Sequence, residues 1–187
     1  MDTYQKRLVF IDSCAVNHFA GINLDPTKEL HGTEFQIAFT PDLEAEYRQA
    51  LAHPRVEPHI KQLLGALLER GMPSGYFGLD GPPFSGLDEG RFISPSELQS
   101  LDSIAIRPRS NKQIPKNRTD SFLITLAQTE IVVTSETQAI WNRAKDYAGL
   151  IFWNEIKTGI DQGSTLLSIF RCRIALMNAN GTAQIQR

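Results

Sequence analysis

Four acidic residues stand where a parallel α/β chain gathers its chemistry. Asp12 ends the apolar run of RLVFIDSCAVNHF, residues 7–19, and Glu136 follows the β-branched run of VVTSETQAIW, residues 132–141. Glu46 lies one turn into the helix expected after EFQIAFT, residues 34–40, and Asp120 begins the helix expected to feed the EIVVT strand. Open parallel sheets bind ligands beyond the carboxyl ends of their strands, so neighbouring strands would bring these acids together. Four carboxylates in one cleft repel one another by several kcal/mol at intermediate dielectric, and a cation relieves that repulsion. Oxygen-only ligands without paired Cys or His select a hard ion, Mg²⁺ or Mn²⁺, rather than zinc. Each acid alone has a plainer reading. Asp12, Asp120 and Glu136 all lie near helix starts, where orphan N–H groups and the macrodipole favour acids by about 0.3–1 kcal/mol. Glu46 could face solvent, with Glu44 in its role if the helix is rotated.

The elements that must position these residues alternate in type. RLVFI reads as a buried strand, residues 14–21 as a short helix closed by Gly21, and EFQIAFT as a second strand. Pro41 stands at a helix start, where its missing N–H costs nothing, and LEAEYRQAL runs on towards His53 and Pro54. Residues 58–71 carry apolar positions at helical spacing and end on Gly71. A glycine- and proline-rich loop, a candidate lid, is expected at 72–96, overlapping a short helix at 95–103. Thr119 is expected to cap the helix DSFLITLAQ, followed by the strand EIVVT, the helix ETQAIWNRAKDYAG and a last strand LIFWNEI, residues 150–156. An apolar helix over 163–180, between Gly163-Ser164 and Asn180-Gly181, closes the chain. No repeat or linker divides the 187 residues, so one domain is expected over 1–187. Strands alternating with helices argue for a three-layer α/β/α fold around a central, mainly parallel sheet.

In this order the motifs resemble the PIN-domain nucleases. Their pattern opens with a hydrophobic strand ending in Asp then Ser or Thr, here VFIDS, and continues with a Pro-started helix whose Glu lies five residues on, here Pro41 and Glu46. A D-x-x-L-x-x-x-A helix follows, here Asp120, Leu123 and Ala127, and then an apolar strand ending T-x-D, here Thr134, Ser135 and Glu136. The fourth acid is Glu where the family usually has Asp, and Cys14 stands where a polar residue is common. The loop at 72–96 and the tail after residue 157 have no counterpart in the minimal domain. The resemblance implies a ribonuclease that uses one or two Mg²⁺ or Mn²⁺ ions, with Asp12, Glu46, Asp120 and Glu136 as ligands and Ser13 and Thr134 orienting them. Similarity to the toxin nucleases of toxin-antitoxin pairs implies an antitoxin partner and a homodimer. A metal-free RNA- or protein-binding module, or a metal-dependent nuclease acting on DNA, are the other classes to separate.

The net charge of −2 excludes strong bulk attraction to nucleic acid or membrane, so any basic surface must be local. Such a surface is expected in the segment 104–119, where Arg107, Arg109, Lys112, Lys116 and Arg118 occur without an acid, just before Asp120. Lys and Arg that neutralise phosphates supply most non-specific RNA affinity; the alternative is a solvated loop. Phe77, Phe84, Phe92 and Tyr76 punctuate the 72–96 loop, as anchors or as stacking partners for bases. Cys14 and Cys172 read as two small buried hydrophobes in a reducing compartment, and the four histidines show no ligand spacing. With no stretch approaching the roughly 18 apolar residues of a membrane span, a cytoplasmic location is expected.

Overall fold

A computed structural model describes residues 6–76, 90–91, 118–137, 141 and 144–185. The elements run β1 (Arg7–Ile11), α1 (Ser13–Gly21), α2 (Pro26–Glu29), β2 (Phe35–Phe39), α3 (Pro41–Ala52), α4 (Pro58–Arg70) and β3 (Met72–Pro73). A small pair, β4 (Gly75–Tyr76) and β5 (Gly90–Arg91), precedes α5 (Arg118–Leu126), β6 (Ile131–Thr134), β7 (Leu150–Phe152), α6 (Trp153–Asp161) and α7 (Leu166–Ile185). Five strands form one parallel sheet in the order β3-β2-β1-β6-β7, and helices complete a three-layer α/β/α fold. Val9 pairs with Ile37 on one side and Ile131 on the other, which sets β1 in the middle.

The middles of the central strands β1 and β6 are continuously apolar because both of their faces are covered. Val9, Phe10 and Ile11 are fully buried, as is each residue of β6. Helix α1 buries Ala15, Val16, Phe19 and Ala20 and packs against α4, which buries Leu63, Leu64 and Leu67. Pro26, Pro41 and Pro58 each stand in the first helical turn, and Asp25 and Thr40 cap the first two of these helices with their side chains. At the entry to β7 the chain passes too close for any side chain. A Cβ on Gly149 would stand 2.0 Å from the Glu130 carbonyl oxygen and 2.6 Å from that of Ala127.

Several elements differ from the sequence reading. LIFWNEI is a strand only at Leu150–Phe152; Trp153 begins α6, whose N-terminus is closed by the Glu155 side chain accepting from the Phe152 N–H at 2.9 Å. The C-terminal helix starts at Leu166 and passes through Asn180 and Gly181 to Ile185, so that pair does not end it. The expected loop at 72–96 begins with the edge strand β3 and contains the β4–β5 pair; its residues 77–89 and 92–96, and the helix expected at 95–103, lie outside the described residues. Of the helix expected at 136–149, Trp141 is helical, residues 135–137 are irregular and 144–146 form a turn. Cys14 is half-buried and Cys172 exposed, so neither is the buried hydrophobe expected. No helix among the described residues is long and apolar enough to cross a membrane.

Candidate functional site

From β1 the chain steps outward to β2 and β3, then crosses to β6 on the other side of β1. The strand order reverses between β1 and β6, and such a reversal opens a crevice at the carboxyl ends of the two strands. Asp12 and Thr134 stand at that crevice. The Asp12 backbone N–H continues the β1–β6 ladder, donating to the Val133 carbonyl at 2.8 Å, while the Asp12 carbonyl accepts from Ala15 N–H at 2.9 Å and starts α1.

The Asp12 side chain does not cap that helix. Its Oδ2 accepts from the Thr134 hydroxyl at 2.7 Å and from Cys14 Sγ at 2.8 Å. Thr134 in turn accepts the Glu136 backbone N–H at 3.0 Å, and Cys14 Sγ accepts the Ser135 N–H at 3.3 Å. One threonine thereby fixes the side chain of the first acid and the backbone of the last. Glu46 is held from both sides: Ser13 donates to Oε2 at 2.8 Å and Thr119 to Oε1 at 2.8 Å. Glu44, the competitor on this helix, points outward and pairs with Arg48 at 2.7 Å. Beneath the carboxylates the buried Tyr47 hydroxyl donates to the Ile11 carbonyl, tying α3 to the end of β1.

Asp12 is only 4% exposed, and burial raises its carboxyl above the ordinary 3.8. The bonds from Cys14 and Thr134 oppose that rise, while the charges of Glu46 and Glu136 add to it. Burial also pushes the Cys14 thiol up to about 12, with the Asp12 charge next in size, so this cysteine is a neutral donor and not a thiolate nucleophile. The Tyr47 phenol is raised by burial first, then by the charges of Asp12, Glu46 and Cys14. Glu46 and Glu136 are thus each within electrostatic reach of Asp12. Asp120 is half-buried in the first turn of α5, next to the Thr119 that holds Glu46.

The donor chemistry suits a hard divalent cation: Asp12 with two further carboxylates acting on it, and hydroxyls but no histidine. Their spacing is wider than a formed cage, since among the described residues no three acid, His or Cys side chains stand close enough to hold one ion. Three participants escaped the sequence reading. By sequence Cys14 reads as a hydrophobe and Thr119 as a helix cap, although it lies inside α5, and Tyr47 carries no signal of its own. Each is adjacent in sequence, or next but one, to an acid of the site, and that adjacency was the available signal. Arg107, Arg109, Lys112 and Lys116 lie outside the described residues, as does the side chain of Arg118. No family model matches the chain, and comparison with curated proteins and with solved structures finds no significant match.

Proposed function

We propose that the chain is a Mg²⁺- or Mn²⁺-dependent endoribonuclease of PIN-like design. One observation carries this reading: at the reversal of strand order, Asp12 forgoes its helix cap and joins Glu46 and Glu136 in a hydroxyl-braced group of acids. Asp12, Glu46 and Glu136, with Asp120, would hold the metal. Such an ion would supply Lewis-acid chemistry, a more acidic water and relief of charge on the phosphate, while the carboxylates would hold it in place. Thr134, Ser13 and Thr119 keep two of the carboxylates from rotating away, which is the positioning that metal ligands need. The basic segment with Arg107, Arg109, Lys112, Lys116 and Arg118 would guide single-stranded RNA to the acids. The choice of RNA, an antitoxin partner and a homodimer rest on the resemblance to PIN toxins.

The test compares internal cleavage of a single-stranded RNA and a matched DNA by the wild-type chain in Mn²⁺, in EDTA, and by Asp12→Asn. Mn²⁺-dependent RNA cleavage absent from the variant is the expected result; equal rates in EDTA, or from the variant, would sink the assignment. DNA cut in preference to RNA would change the substrate and keep the chemistry. A second reading has its own support, because both Glu46 oxygens already accept hydroxyls and no three-ligand group is formed among the described residues. On that reading the fold is a metal-free RNA- or protein-binding module. RNA affinity that persists in EDTA without cleavage in Mn²⁺ would favour it.

A further inference from the structure

Next to the acids, on the β7 side, lies a cavity of about 370 Å³ lined by His18, Ser135, Thr137, Phe152, Trp153 and Asn154. Its size is within the range of small-molecule sites, about 300–1,000 Å³. Ser135 and Thr137 bracket Glu136 in sequence. His18 lies one helical turn from Cys14, the residue whose thiol meets Asp12 and the Ser135 N–H. The cavity and the carboxylate group therefore share a wall.

We propose that this cavity binds one unpaired nucleobase of a single-stranded RNA, stacked on His18, at the nucleotide beside the bond to be cut. The floor is built for stacking. Trp153 is 5% exposed, and His18 lies over it with ring centroids 5.3 Å apart and planes at 18°. Phe19 meets the same indole edge-on at 4.9 Å and 74°, which fixes the indole and, through it, the plane of His18. One face of the His18 ring rests on the indole, and the residue is exposed, so its other face is open to a base. Among the described lining residues there is no carboxylate, Lys or Arg, which suits a neutral base rather than a phosphate. The hydroxyls of Ser135 and Thr137 can donate or accept, and the Asn154 amide offers a donor and an acceptor side by side, the pattern that reads a base edge.

This inference rests on the ribonuclease reading for its substrate, so its test avoids catalysis. Binding of the four ribonucleoside 5′-monophosphates and of ribose 5-phosphate is measured by ligand-observed NMR in EDTA. At least one nucleotide is expected to bind about tenfold more tightly than ribose 5-phosphate; His18→Ala should remove that advantage, and His18→Phe, which keeps a stacking face, should preserve it. The proposal is overturned if no nucleotide binds better than the sugar phosphate, if His18→Ala binds like wild type, or if His18→Phe fails along with it. Because His18 is exposed, the Ala variant should unfold at the wild-type temperature, so a loss of binding reads on the site. Nucleotide binding without metal-dependent cleavage would remove the ribonuclease reading and leave the subsite; cleavage without nucleotide binding would remove the subsite alone.

Discussion

Asp12 and Asp25 occupy the same position in their helices and use their carboxylates in opposite ways. Asp25 caps α2, accepting from the Thr27 N–H at 3.0 Å and the Thr27 hydroxyl at 2.7 Å. Asp12 precedes the longer α1 and makes no cap bond; its carboxylate turns across the sheet to Thr134. A side-chain cap stabilises a helix by about 0.5–2 kcal/mol, so a residue that could cap and does not is held elsewhere for another reason. The difference between the two lies in what surrounds them. Asp25 keeps 23% of its side-chain exposure, whereas Asp12 is buried at a reversal of strand order beside Glu46 and Glu136. Burying a carboxylate among other carboxylates destabilises the apo fold, and that cost is the usual mark of a site kept for function.

Activity should separate the two acids most widely. Asp12→Asn is expected to lower Mn²⁺-dependent RNA cleavage by at least two orders of magnitude, about 2.7 kcal/mol of barrier, whereas Asp25→Asn leaves the rate unchanged. Asp120→Asn should match Asp12→Asn if all four acids act together. A near wild-type rate for Asp120→Asn would reduce the site to three acids, and a near wild-type rate for Asp12→Asn would make it the structural equal of Asp25.

Stability against pH gives the next contrast. The folded-state pKa of Asp12 is raised, so the stability it contributes is fully present below 3.8 and is lost as pH rises through the folded value. At neutral pH the apo Asp12→Asn variant should therefore be as stable as wild type or more so, with the gap closing as pH falls towards 3.8. Mn²⁺ should reverse the order: at a hundredfold excess over its dissociation constant it adds about 2.7 kcal/mol to the wild type and little to the variant. Urea titrations of both chains, with and without Mn²⁺, measure this. A variant several kcal/mol less stable than wild type at pH 7 would return Asp12 to a structural role.

Smaller effects probe the supports. Thr134→Val keeps the shape of a fully buried side chain but removes both the donor to Asp12 and the acceptor for the Glu136 N–H, a loss of about 1–3 kcal/mol. Asp25→Ala should cost about 1 kcal/mol through its lost cap and nothing in rate. If Thr134→Val changed neither stability nor the metal dependence of cleavage, the threonine would not be what holds Asp12.

How much of this was written in the sequence varies with how local each signal was. The strand ends at Asp12 and Thr134 were legible because apolar runs buried on two faces are continuous and stop abruptly, and the proline-started helices because Pro tolerates only a few positions. The inward turn of Glu46, rather than Glu44, was legible only through the resemblance, since both lie on one helix and nothing in their spacing sets its rotation. Strand β3 was hidden because two residues carry no periodicity, and α6 because the apolar LIF of a three-residue strand ran unbroken into Trp153. Cys14 and Thr119 stand beside acids of the site, but the contacts that join them to the other side of it reach Thr134, 120 residues on, and Glu46, 73 residues back, and spacing along the chain does not report those.

Glu136 provides the finest test of the contrast. It does not lie within regular helix: residues 135–137 are irregular, and its N–H is turned back onto Thr134. A helix-start acid would tolerate Gln at a cost of at most about 1 kcal/mol, with no change in metal dependence. A metal ligand would not, because the neutral amide cannot replace a carboxylate on a hard cation. Shortening to Asp brings the residue to the type the PIN pattern usually carries at this position, so Glu136→Asp should keep Mn²⁺-dependent cleavage close to the wild-type rate while Glu136→Gln loses most of it. The rate measured against Mn²⁺ concentration for the two variants decides between these roles. If the Gln variant keeps wild-type metal affinity, Glu136 acts on Asp12 through charge alone and the ligands must be sought among Asp12, Glu46 and Asp120.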